Sequence, residues 1–146
     1  MAQHLRMARL YLVLLGIFTV GRWLHGSFGV PYEKGHHVFS IVTLTLFSAI
    51  FYGAFTRCWR SYRLVQAMGL ALLFGIAGQL VIILATVVSY ALGLHTYFND
   101  PRVVADASSL GPALMIRLAV LVANSITASI AGALGWAMGA LLPQGN

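Results

Sequence analysis

From Leu64 to Leu94 the chain carries no charged residue over 31 consecutive positions. As a helix rising 1.5 Å per residue, that stretch would be roughly 46 Å long and apolar on every side. A bilayer with a hydrocarbon core of about 30 Å accepts it if the helix tilts, kinks or projects beyond the lipid. The rest of the chain agrees. Only 8% of the 146 residues are charged and 60% are hydrophobic, whereas a soluble domain carries about 25% charged residues. So few charges cannot cover a water-facing surface, and lipid becomes the solvent for much of the chain.

The expected fold is all-α: one integral membrane domain over 1–146, a four-helix bundle with spans near 8–24, 37–56, 64–94 and 109–142. The first span is short, with an uncharged stretch only from Leu10 to Gly21, and it works if Arg9 and Arg22 extend their charged ends to the two interfaces. The basic start and apolar run resemble a secretory signal, but Gly21-Arg22-Trp23-Leu24-His25 offers no small-x-small cleavage site, so a retained helix is expected. Gly29, Pro31 and Gly35 break the loop between the first two spans. In the third span Gly75 and Gly78 are candidate kinks and Gly93 a stop. In the fourth, Pro112 opens the helix, Arg117 reaches the interface, and Pro143 closes it.

Charge sets the expected orientation. Arg6, Arg9, Arg57, Arg60 and Arg63 fall on one side. Arg22, Lys34 and Arg102, with Arg117 at the border, fall on the other, together with Glu33, Asp100 and Asp106. Lysine and arginine accumulate on the cytoplasmic side, which puts both termini inside the plasma (inner) membrane. The net charge of +6 therefore reads as membrane orientation, and nucleic acid is not an expected partner. Cys58 is the single cysteine, which excludes an intramolecular disulfide.

Three groups of residues stand out. Ala128, Ala131, Gly132, Gly135 and Gly139 form a small-residue seam on the fourth span, and Ala67, Ala71, Gly75 and Gly78 a matching one on the third. Small residues spaced by four let helix backbones approach closely in lipid. The seam can pack within one bundle or against a neighbouring subunit. The second group is polar: Thr45, Ser48 and Tyr52 share a face, and Gln79, Asn124 and Thr127 lie near mid-span. Amides in hydrocarbon must face protein or water, so these residues form an interhelical hydrogen bond or line a pathway. No Asp, Glu, Lys or Arg is expected at the centre of any span, which argues against a proton-coupled carrier built on a membrane carboxylate. The third group is His25, Glu33, His36, His37, His95 and Asp100, all expected on the outer side. Imidazole and carboxylate suit Zn, Cu or Ni, and His25 with His95 are candidate haem ligands. Their spacing matches no metal motif, and on a helix His36 and His37 would point about 100° apart. No cofactor is expected.

No catalytic signature such as GxSxG or HExxH occurs, so the chain does not read as an enzyme. The favoured reading is a small membrane subunit or scaffold whose partners are the lipid bilayer and either itself or another membrane protein. The alternatives are a small oligomeric channel or uncoupled transporter, and an outer-face metal- or haem-binding protein.

Overall fold

The computed structural model describes residues 2–142, with side chains from Ala8 onward. The elements in order are α1 (Ala2–Ser27), a one-turn α2 (Tyr32–Gly35), α3 (Ile41–Arg60), α4 (Leu64–Ala91) and α5 (Leu110–Met138), the last running into a 3-10 turn, Gly139–Leu141. Four segments are long and apolar enough to cross a membrane: Ala8–Ser27, Ile41–Arg60, Leu64–Ala91 and Leu110–Leu141. Pro143, the expected stop of the last span, lies outside the described residues.

The helix limits have local causes. α3 starts four residues later than His37 because residues 36–39 form a turn, and the Ser40 hydroxyl accepts from Thr43 N at 3.4 Å as its cap. Phe39, just before that cap, is held at φ 55°, a left-handed conformation uncommon for a bulky residue. Its ring fills the space that a side chain at position 21 would need, which Gly21 leaves open. α3 also continues past Thr56 to Arg60, bringing Arg57 and Arg60 into its last turn, where cations suit the helix dipole. α4 ends at Ala91, not Leu94. Gly93 adopts φ 62°, Gly93 N donates to Tyr90 O at 3.3 Å, and Leu94 N donates to Ser89 O at 2.9 Å. Those two bonds make a Schellman close.

The expected kinks do not interrupt α4, which runs unbroken through Gly75 and Gly78. Both glycines are contact points instead. A Cβ at Gly75 would lie 2.8 Å from Ser125 Cα, and one at Gly78 would lie 2.9 Å from Thr45 Oγ1.

α3 and α5 run parallel and touch backbone to backbone. A Cβ at Gly135 would collide with the Ile50 carbonyl, and one at Gly139 would lie 2.9 Å from Ala54 O. α4 crosses this pair antiparallel, with Ala67 and Ala71 against Gly132 and with Gly75 against Ala128. Ala49, Ala71 and Ala131 form a small buried cluster between the three helices. The α5 seam is thus filled by α3 and α4 of the same chain. An assembly of this chain would have to use another surface.

α1 packs outside this trio. Of its described residues only Tyr11 and Leu15 are fully buried. They join Ile41, Tyr52, Leu70, Phe74, Ile82 and Phe98 in the main apolar core. At one end of the bundle, residues 28–40 and 92–109 form a cap; the other end carries the α3–α4 turn, the start of α1 and the end of α5.

Candidate functional site

The cap is bolted together by Tyr97. Its hydroxyl donates to Val30 O at 2.8 Å, and its ring meets Tyr32 edge-on at 5.4 Å. Gly35 gives that hydroxyl room, and Gly26 lets α1 approach the backbone of residues 96 and 97. Burial pushes the Tyr97 phenol pKa up, with Arg22 opposing the rise and Asp100 and Tyr32 adding to it. The second cap segment is fixed to α4 by the Ser89 and Thr96 hydroxyls, 2.8 Å apart, and is braced within itself by Thr96 N donating to Asn99 Oδ1 at 2.8 Å.

Under this cap lies a cavity of about 200 Å³ between α1, α3, α4 and α5. Its polar lining comprises Arg22, His36, His37, Gln79, Arg117 and Asn124, together with Ser40 and the tyrosines Tyr32 and Tyr97. Ile41, Val42, Ile82 and Val120 supply apolar wall. No carboxylate lines it. Arg22 donates from Nη1 to His36 O at 3.0 Å, and its guanidinium carbon lies 5.6 Å from the Tyr97 ring centroid.

Arg117 is the unexpected member. It was expected at the interface, yet it is only 7% exposed. Nη2 donates to Phe98 O at 2.6 Å, the carbonyl that also accepts from Thr86 Oγ1 at 3.2 Å. Nε of Arg117 is buried with no partner. Nearby Gln79, 3% exposed, buries an unpartnered Oε1. A buried charge without a counter-charge costs several kcal/mol, and an unmet buried acceptor about 1–3 kcal/mol. Among the described residues the ion pair present is Arg102 with Glu33 at 2.6 Å, on the exposed surface of the cap.

Toward mid-span, on the far side of Gln79 and Asn124, a second pocket of about 10 Å³ is lined by these two residues with Thr45 and Gly75 among others. That is about the room one water needs. The way is closed beyond it. Tyr11 OH and Thr45 Oγ1 are 2.9 Å apart, and Tyr11 OH donates to Phe74 O at 2.8 Å. The Tyr11 ring stacks on Phe74 at 4.5 Å, and Tyr52 packs edge-on to Phe74 at 5.1 Å. The polar track inside one chain is therefore blind.

Of the expected polar pathway, Gln79, Asn124 and Thr45 come together. Tyr52 belongs to the apolar core, and Ser48 is half-buried away from the cavity lining. Thr127 is exposed and returns its hydroxyl to Ala123 O at 2.9 Å. The histidine and carboxylate group is dispersed, and no three metal-capable side chains converge among the described residues. Glu33 pairs with Arg102, Asp100 Oδ1 accepts from Arg102 N, and His95 is exposed. His25 packs near Phe39 and Tyr97. His36 and His37 do not diverge as they would on a helix. The turn brings their ring centroids to 3.6 Å, with His36 Nδ1 3.0 Å from Tyr32 O.

At the opposite end the arginines have structural work. The Arg57 guanidinium stacks over Trp136 at 3.8 Å and donates to Trp136 O at 3.2 Å, while the Trp136 indole donates to Tyr62 O at 2.7 Å. Cys58 is buried, its thiol donating to Gly139 O at 3.2 Å.

Sequence reasoning missed Arg117, although a signal was present. Ala113, Arg117, Asn124 and Ala128 follow helical spacing, and both alanines are fully buried. A residue on that stripe is turned toward the bundle. No family model, no curated protein and no solved structure matches this chain.

Proposed function

We propose that this chain is an integral membrane protein that binds an oxyanion in the capped cavity. The observation carrying the proposal is Arg117: a buried guanidinium with an unpartnered Nε and no carboxylate near it, in a cavity that Arg22 also lines. A phosphate or carboxylate supplies what is missing, because guanidinium binds such groups through paired charge-assisted hydrogen bonds. Asn124 adds amide donors, and His36 and His37 add two imidazoles. The same lining disfavours a cation.

We further propose the orientation that charge favours, with both termini on the cytoplasmic face of the plasma (inner) membrane and the cap outside. The subunit reading, in which this chain assembles with itself or another membrane protein, stands beside the anion site without competing with it. The channel reading needs a path between chains, since the track within one chain ends at Tyr11 and Thr45.

The test is thermal unfolding of the purified protein in neutral detergent with rising inorganic phosphate, against sodium chloride of equal ionic strength. A ligand that binds only the folded state stabilises by about 2.7 kcal/mol at a hundred times its Kd. Phosphate is expected to raise Tm of the native protein above the chloride control, and Arg117→Gln to abolish that rise. Arg117→Lys keeps the charge but loses the fork and is expected to keep part of it. A rise of equal size in Arg117→Gln would sink the proposal.

A further inference from the structure

The size and walls of the cavity bear on what kind of anion it takes. Pockets that enclose a whole drug-sized ligand measure about 300–1,000 Å³. This one has about 200 Å³, enough for a compact head group and too little for a large substituent attached to it. Anything further must lie outside.

Val42 of α3 and Val120 of α5 form part of the cavity wall, and Val42 is at the same time 38% exposed on the outer surface of the bundle. Both lie within segments apolar enough to cross a membrane. Further along, the same two helices touch backbone to backbone at Gly135 and Gly139. At Val42 and Val120 the cavity lies between them instead. A ligand using that gap comes from hydrocarbon.

We infer that the occupant is the head group of an anionic lipid. Its phosphate or carboxylate oxygens meet Arg22 and Arg117, and its acyl chain leaves sideways between Val42 and Val120. This rests on the anion-site reading and adds the source of the anion. A lipid-borne head reaches the site along the membrane, and its chain stays in hydrocarbon throughout. Free phosphate has the same oxygens but gains nothing from the apolar side.

The experiment is native mass spectrometry of the full chain from neutral detergent, with dioleoyl phosphatidic acid, dioleoyl phosphatidylcholine as the zwitterionic control, and inorganic phosphate as competitor. One phosphatidic acid per chain is expected, retained about tenfold over phosphatidylcholine, a preference equal to about 1.4 kcal/mol, and resistant to phosphate. Val42→Trp, on an exposed position, should obstruct the side opening. It is expected to cut lipid retention by a larger factor than it cuts the phosphate-induced rise in Tm. Arg22→Gln, at a half-buried position, should weaken both readouts. Equal retention of the two lipids, displacement by phosphate, or unchanged lipid retention in Val42→Trp would overturn the lipid assignment and leave the anion site standing. Unchanged lipid retention and unchanged phosphate response in both Arg22→Gln and Arg117→Gln would overturn the two together.

Discussion

Tyr97 joins three parts of the molecule through one side chain. Its hydroxyl bonds the first cap segment, its backbone lies against Gly26 of α1, and its ring sits beneath Arg22. The phenol pKa is raised from its usual 10.0, chiefly by burial. A raised pKa means the folded protein keeps the proton after the unfolded chain has released it. The stability Tyr97 contributes is therefore full below about pH 10 and is lost as pH rises through the folded value. Thermal unfolding across that alkaline range should show a steeper fall for the native protein than for Tyr97→Phe, which lacks the group. Parallel profiles would show that ionisation of Tyr97 is not coupled to cap stability. Residues of this kind are poorly legible in sequence. Tyr97 sits in a short loop with no periodicity, and its partners at Val30 and Pro31 are more than sixty positions away. Arg117 was half-legible. Its helical stripe pointed inward, while its chemistry argued for the interface, and the Phe98 carbonyl that holds it cannot be inferred from local spacing.

The helices were more legible than the residues, because their signals are repeated along the chain. The small-residue spacing on α4 and α5 marked surfaces that pack closely: Ala67, Ala71 and Gly75 face Gly132 and Ala128, while Gly78, Gly135 and Gly139 face α3. The seams on α4 and α5 alone could not say that α3, where Ala49 and Gly53 are also spaced by four, would take up the other side of α5. Its packing follows from the short α3–α4 connection and from Arg57 anchoring Trp136. The helix scale also allows a paired prediction. A Cβ at Gly135 would run into the Ile50 carbonyl, a backbone atom that cannot swing aside, whereas one at Gly111 meets nothing within 4 Å. Gly135→Val should destabilise the protein by about 1–3 kcal/mol through overpacking. Gly111→Ala should be neutral or gain up to about 1 kcal/mol, since alanine holds a helix better than glycine. Unfolding of the two variants in the same detergent measures the difference. A Gly135→Val protein as stable as the native one would mean that α3 and α5 can move apart without loss, and that the seam is not a rigid contact.

At the scale of the whole molecule, the two ends of the bundle differ in kind. At the end carrying the α3–α4 turn, Arg57 is consumed by Trp136, and Arg60 is exposed. At the cap end, two of the basic residues line the cavity, and Arg102 is offset by Glu33. Cations are withdrawn or paired at both ends, so the orientation rests on the sequence count of five basic residues against three or four. Positive segments are retained in the cytoplasm during insertion, which favours the cap outside. Accessibility of single cysteines tests this directly. In a Cys58→Ser background, Glu33→Cys places a thiol on the cap, where the Glu33 side chain is 67% exposed. Breaking its pair with Arg102 costs about 0–1 kcal/mol, as surface pairs do, so the fold should survive. Arg60→Cys places a thiol at the exposed end of α3. A membrane-impermeant maleimide applied to intact cells should label Glu33→Cys and leave Arg60→Cys unlabelled until the cells are opened. The opposite pattern would invert the molecule and place the cavity in the cytoplasmic leaflet. There the local supply of acidic lipids is larger, so the anion site would survive the reversal while the orientation would not.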